Sequence, residues 1–303
     1  MSYYKPRLSS NVNPGMNISR YYRVRGLFLL AVICCVSMAW FGSRAAGVPW
    51  YESFQMSLFQ QPSAAWTLGV IAVLAILGLI VGQLIAGGIR AEAGFVAALL
   101  GLLGISMRGG TIQSVYQAAN SPAIFRQLAL EVALYALLAA VLWLALRFVT
   151  DTPLAPAFLR RPPPPKNPPR AIVATSILCQ TAACLLLMYI LGRADSKGQA
   201  IGSVALASLA STLAVRLLFP LPNAVIYWPA PLLAATLGYL ANTLNPSGLE
   251  TANLTGHFAP LAQALPLDHL TAGPPAAIIG YWLSQGWTNA SPTQVVSAAP
   301  GRD

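Results

Sequence analysis

Residues 65–86 read AWTLGVIAVLAILGLIVGQLIA, a stretch of Leu, Ile, Val, Ala and Gly broken only by Trp66, Thr67 and Gln83 and carrying no charge. A helix that crosses the hydrocarbon core of a bilayer needs about 20 apolar residues, within a range of about 17–25. A transmembrane barrel strand would instead show about 10 residues of alternating polarity. This run is about twice that length and continuously apolar, so it reads as a membrane-spanning helix.

The same pattern recurs on both sides of it. Gly26–Gly42 lies in the uncharged interval between Arg25 and Arg44, and Gly94–Met107 lies between Glu92 and Arg108. Phe125–Leu146 is apolar apart from Glu131; Ala171–Gly192, Gln199–Val215 and Val225–Leu244 follow. The last segment, Thr271–Trp287, contains Pro274, Pro275, Gln285 and two tryptophans. The expected fold class is therefore all-α: a polytopic transmembrane helical bundle of seven or eight spans. Gly94–Met107 is short and is expected to reach span length through snorkelling of Arg108 or extension through Gly109 and Gly110. Leu27–Phe41 follows basic residues and precedes Ala45-Ala46, the layout of a secretory leader. Such a leader would be long, and an uncleaved first helix is the reading adopted.

Composition agrees. Of 303 residues, 56% are hydrophobic and 9% charged, whereas a soluble domain carries about 25% charged residues. Eighteen basic and eight acidic residues are too few to cover a soluble surface of this size. With eight spans and the N-terminus inside, Lys5, Arg7, Arg20, Arg23, Arg25, Arg90, Arg147, Arg160, Arg161, Lys166, Arg170, Arg216 and Arg302 fall on the inner face. Arg44, Arg108, Arg126, Arg193 and Lys197 fall on the outer one. That bias follows the positive-inside rule and predicts a cytoplasmic N-terminus in a bacterial-type inner membrane. The formal net charge of +10 is then a topology signal and implies no nucleic-acid partner. The expected partners are the lipid bilayer, with anionic headgroups at the inner face, and other membrane proteins.

The chain divides into a cytoplasmic tail (1–25), a first transmembrane half (26–150), a basic proline-rich linker (151–170), a second half (171–290) and a C-terminal tail (291–303). The linker holds PLAPAFLRRPPPPKNPPR at Pro153–Arg170; proline this dense favours extended polyproline II, a semi-rigid spacer or a docking site for a proline-binding domain. Sliding the chain by 133 residues sets Gly69 on Gly202, Ala119-Asn120 on Ala252-Asn253 and Phe125 on Phe258. The second span then falls on the sixth and the third on the seventh, as two four-span halves in parallel repeat would require.

Chemistry-bearing residues are few. Glu250, His257, Asp268 and His269 lie in the outer segment Asn245–Leu270; carboxylate and imidazole ligate transition metals or relay protons. Their spacing matches no metal motif, and adjacent residues such as Asp268 and His269 diverge by about 100° on a helix. Pro260 and Pro266 break the segment into short pieces, which suits a surface cap of ordinary interfacial residues. Glu131 lies six residues, about 9 Å, into the fourth span. A carboxylate at that depth marks a proton carrier, an ion site or a buried pair, with Arg108 as candidate partner and Gln127 and Tyr135 on its face. Gly78, Gly82 and Ala86, four residues apart, form a stripe on which two helices can approach closely. Cys34, Cys35, Cys179 and Cys184 lie inside spans, form no C-x-x-C pair and read as packing residues. No Walker A loop occurs and no cofactor is expected. Sparse buried charge, small-residue spans and the proline spacer favour a non-catalytic scaffold or accessory subunit of a membrane complex; the alternative is a small-solute or ion transporter or channel-like protein with a pathway near Glu131. A membrane enzyme is a third, weaker reading.

Overall fold

The computed structural model describes residues 18–47, 57–119, 121–151, 168–193, 196–244, 252, 255 and 258–288. Residues 1–17, most of the proline-rich run (152–167), Glu250, His257 and residues 289–303 lie outside them. Among the described residues there is no strand; the helices are α1 (Ile18–Ala45), α2 (Ala64–Ala86), α3 (Ala93–Gly101), α4 (Leu103–Ser106), α5 (Ile112–Ala119), α6 (Ile124–Asp151), α7 (Arg170–Leu191), α8 (Lys197–Leu218), α9 (Ala230–Thr243) and α10 (Pro266–Thr288). Six stretches are long and apolar enough to cross a membrane: Tyr22–Ala45, Ala64–Ala86, Ile124–Thr150, Arg170–Leu191, Lys197–Leu218 and Ala224–Thr243.

These six form the outside of the bundle. Leu29 and Ile33 on α1, Ile80 and Leu84 on α2, Leu144 and Phe148 on α6, and Leu178 and Leu186 on α7 are all exposed. So much apolar surface is compatible with lipid and not with water. The inside is formed by the two weakest spans of the sequence. Phe95, Val96, Ala97 and Leu99 of α3 are fully buried, and Leu283 is the one exposed side chain among those described in α10. A helix surrounded by protein needs neither lipid-grade hydrophobicity nor a length matched to the hydrocarbon core. That is why α3 and α4 stop at Ser106 and the chain turns at Gly109 and Gly110, where the sequence predicts extension.

Ends that meet fix the directions. Arg90, just before α3, donates to Gln285 late in α10, and Ser106 at the end of α4 donates to Asp268 in the first turn of α10. The α3–α4 segment and α10 therefore run antiparallel through the centre. Gln180 of α7 donates Nε2 to Thr212 Oγ1 of α8 at 2.7 Å and to the Tyr227 carbonyl at 2.9 Å, joining three segments of the second half. The two halves do not pack alike: α2 lies along α3, whereas α8 lies along α10 and barely touches α9, its partner under the 133-residue shift.

The last helix begins at Pro266, five residues before the expected Thr271. Pro266 suits the first helical position, where its missing N–H costs nothing. Asp268 Oδ2 reaches back to accept the Leu265 N–H at 2.8 Å, half of a capping box. Pro274 and Pro275 lie inside this helix and remove the amide hydrogens that a regular helix would direct at the carbonyls of Leu270 and Thr271.

The small-residue stripe of α2 packs within the chain. A Cβ on Gly82 would come 3.0 Å from Ala97 Cβ and 3.0 Å from the Gly94 carbonyl oxygen, and one on Gly78 would come 3.3 Å from Ala98 Cα. Ala86 joins Ala93 and Ala97 in the same contact. Gly69, on the same helix, faces open space. Gly82→Leu is expected to destabilise by about 1–3 kcal/mol through overpacking, while Gly69→Leu leaves stability within about 0.5 kcal/mol. Thermal unfolding of the two variants in detergent checks this; equal losses would show that α2 does not meet α3 along the stripe.

Candidate functional site

The four helices α4, α6, α9 and α10, with the start of α8, bring charged and aromatic polar groups together near one end of the bundle. Asp268 is fully buried and accepts from Ser106 Oγ, from Lys197 Nζ at 2.8 Å and from the Leu265 N–H. Lys197 begins α8, and its side chain is 16% exposed, so its stem reaches inward to the carboxylate. The pair joins the second half to itself; Ser106 joins it to the first.

His269 follows on the next face of the helix and is 1% exposed. Neither Nδ1 nor Nε2 has a hydrogen-bond partner among the described residues. Its ring lies edge-on to Tyr239, 5.9 Å between centroids at 84°. The Tyr239 hydroxyl donates to the Ala264 carbonyl, so it does not serve the imidazole. A buried imidazole with both nitrogens idle is unusual, because a buried polar group without a partner carries a desolvation cost of about 1–3 kcal/mol.

Glu131 is 2% exposed on α6. Its Oε2 accepts from Ser57 Oγ at 2.8 Å and from the Leu58 N–H at 2.9 Å, the first amide of the short 3-10 turn Leu58–Gln60. Tyr135, one turn further along α6, sits against the same carboxylate, and Glu131 and Asp268 lie within electrostatic reach of one another and of Tyr239. The cluster thus contains two carboxylates, one imidazole, one ammonium and two phenols. From Ile124 to Glu131 is seven residues, about 10 Å of helix; Asp268 lies in the first turn of α10. The cluster therefore sits nearer the Lys197 end than the middle of the bundle.

Several sequence expectations change here. Arg108 does not pair with Glu131. Its guanidinium lies 3.9 Å from the centre of the Trp40 ring and donates to Ser43 Oγ at 3.2 Å and to the Trp40 carbonyl at 3.3 Å, on α1. Gln127 is exposed and turned away from the cluster. Asp268 and His269 are not surface-loop residues; both are buried inside the first turns of α10. As for a metal, Glu250 and His257 lie outside the described residues, and no group of three potential metal ligands occurs among the described ones. Ser57, Ser106, Lys197 and Tyr239 were not singled out by the sequence. Ser57 is 74 residues from Glu131, and no local spacing connects them. An apolar recess of about 240 Å³ runs beside the cluster between α3–α4, α8 and α10, lined by Leu100, Leu103, Ile201, Leu209, Thr271 and Ala276.

Cys35 and Cys184 are buried, Cys35 Sγ donating to the Gly78 carbonyl at 3.4 Å and Cys184 Sγ lying 3.8 Å from Ser208 Oγ, as packing residues do. Fold and surface together define an integral, multi-pass α-helical membrane protein. No family model, curated protein or solved structure matches the chain.

Proposed function

We propose that this protein is a proton- or cation-coupled transporter of a small solute, with Glu131, Asp268 and His269 as the groups that bind and release the coupling ion. One observation carries the reading: three ionisable side chains, each no more than 2% exposed, converge from both halves of a membrane bundle. Ionisable groups at membrane depth are expensive and ordinarily serve ion pathways or proton relays. Two features add to it. Transport sites are commonly built between two halves of a bundle and beside helices with interrupted backbone hydrogen bonding. Here Pro274 and Pro275 interrupt α10 one turn beyond His269. The distribution of lysine and arginine supports an orientation with the Arg90–Arg216 end in the cytoplasm and the cluster towards the opposite face.

Infrared difference spectroscopy on the reconstituted protein tests the assignment. A pH step is expected to change carboxyl bands in the wild type, and Glu131→Gln and Asp268→Asn are each expected to remove part of that change. Identical difference spectra in wild type and both variants would overturn it.

A second reading, a non-catalytic subunit of a membrane complex, is favoured by the closure of the Asp268 site: its carboxylate already accepts from three donors. Native mass analysis after purification in mild detergent separates the two. Stoichiometric partner proteins support the subunit, and a lone monomer or homodimer supports the transporter.

A further inference from the structure

The opposite end of the bundle gathers two guanidinium groups that form no ion pair with a carboxylate among the described residues. Arg216, in the last turn of α8, is 7% exposed. Its Nη1 donates to the Tyr281 carbonyl at 3.0 Å and to Ser284 Oγ at 2.6 Å, and its guanidinium lies 4.6 Å from the centre of the Tyr281 ring. Its Nε is buried without a hydrogen-bond partner among the described residues. Arg90, half-buried in the turn between α2 and α3, donates to Gln285 and stands 5.4 Å over the Trp282 ring. Trp282 Nε1 is likewise buried without a hydrogen-bond partner among the described residues. Neither arginine is ion-paired among the described residues.

The arrangement is incomplete in one particular sense. Burial pushes the Arg90 guanidinium down; Tyr281 opposes that shift, and the nearby Arg216 charge adds a smaller downward push. Like charges brought together in a poorly solvated place repel, and the idle atoms here, Arg216 Nε and Trp282 Nε1, are both donors. An acceptor-rich anion answers both defects. Guanidinium groups match phosphate oxygens in fork geometry, with charge-assisted bonds about twice as strong as neutral ones. The surrounding Tyr227, Tyr281 and Trp282 are the aromatic side chains that collect where a bilayer's apolar core meets its headgroups.

We infer that Arg90, Arg216 and Trp282 form a binding site for a phosphate group, carried by a phospholipid headgroup or by a phosphate-bearing solute. The site is separate from the Glu131–Asp268–His269 cluster and stands or falls independently of the transport reading. It gives the general attraction of a basic membrane face for anionic lipid a defined location, because two of the positive charges are held by hydrogen bonds and rings in place of trailing freely in the headgroups.

The full-length protein in zwitterionic nanodiscs is titrated with phosphatidylglycerol, and in a separate series with inorganic phosphate, and binding is read by native mass spectrometry and by the rise in melting temperature. Saturable binding of either probe is expected, and Arg90→Gln weakens it by at least about tenfold, a loss of about 1.4 kcal/mol. Arg23→Gln, which removes an exposed arginine of the first helix, leaves it unchanged. Phosphatidylglycerol binding places the phosphate on a lipid; binding of inorganic phosphate alone places it on a solute. Arg216→Gln is expected to weaken binding further, and if that variant fails to fold, the half-buried Arg90 carries the test alone. Binding of neither probe, or equal binding by wild type, Arg90→Gln and Arg23→Gln, overturns the site.

Discussion

Asp268→Ala is expected to destabilise the bundle by about 3–5 kcal/mol, the range for breaking a buried ion pair by removing one partner. The carboxylate is fully buried and the Lys197 side chain only 16% exposed. Removing the carboxylate strands an ammonium in the protein, together with the Ser106 hydroxyl and the Leu265 amide. That loss lies well above the roughly 0.6 kcal/mol of an average interhelical hydrogen bond in a bilayer. Replacing both partners, as in Lys197→Met with Asp268→Leu, removes the charges together and is expected to cost less than either single change. Reversible unfolding in mixed micelles measures Asp268→Ala and, for the cycle, Lys197→Met, Asp268→Leu and the double change. Additive losses would mean that Lys197 and Asp268 do not interact.

The same pair explains what the sequence hides. Lys197 stands at the start of a span and Asp268 lies 71 residues later in a stretch crowded with prolines. Read locally, one is an outer-face charge and the other a loop residue. Only the packing of α8 against α10 neutralises them. The prolines mislead for a related reason: Pro266 starts the helix and Pro274 and Pro275 interrupt its bonding, and all three are tolerated because α10 is enclosed by protein and not by lipid. The long outer spans, by contrast, are legible from residues 65–86 outward, since a helix facing lipid must be apolar along its length. Glu131 was legible by depth alone, because a carboxylate inside an apolar run is costly wherever its partners lie. Its partners were not legible. Arg108, two residues beyond the end of α4, finds Trp40 and Ser43 on α1, while Glu131 is served by neutral donors at Ser57 and Leu58.

Those neutral donors also shape the second large effect, on ion handling. Glu131→Gln keeps the length of the side chain and a carbonyl oxygen to accept from Ser57 and Leu58, so its stability is expected to change by no more than about 1 kcal/mol. What it removes is a charge that can be gained and lost. His269→Ala removes an imidazole that bonds to nothing among the described residues, so it too separates ion handling from hydrogen bonding, although it leaves a cavity. The titratable groups that face these two are Tyr135, Tyr239, Asp268 and Lys197, and neither substitution removes any of them.

Charge displacement after a pH jump, recorded on reconstituted protein adsorbed to a solid-supported membrane, tests ion binding at this cluster without knowledge of the solute. The wild type is expected to give a transient current that grows with protein density, and Glu131→Gln, folded and equally abundant, is expected to fall to the level of protein-free vesicles, with His269→Ala reduced. A wild-type membrane that moves no charge, or a current unchanged by Glu131→Gln and His269→Ala, would contradict the account.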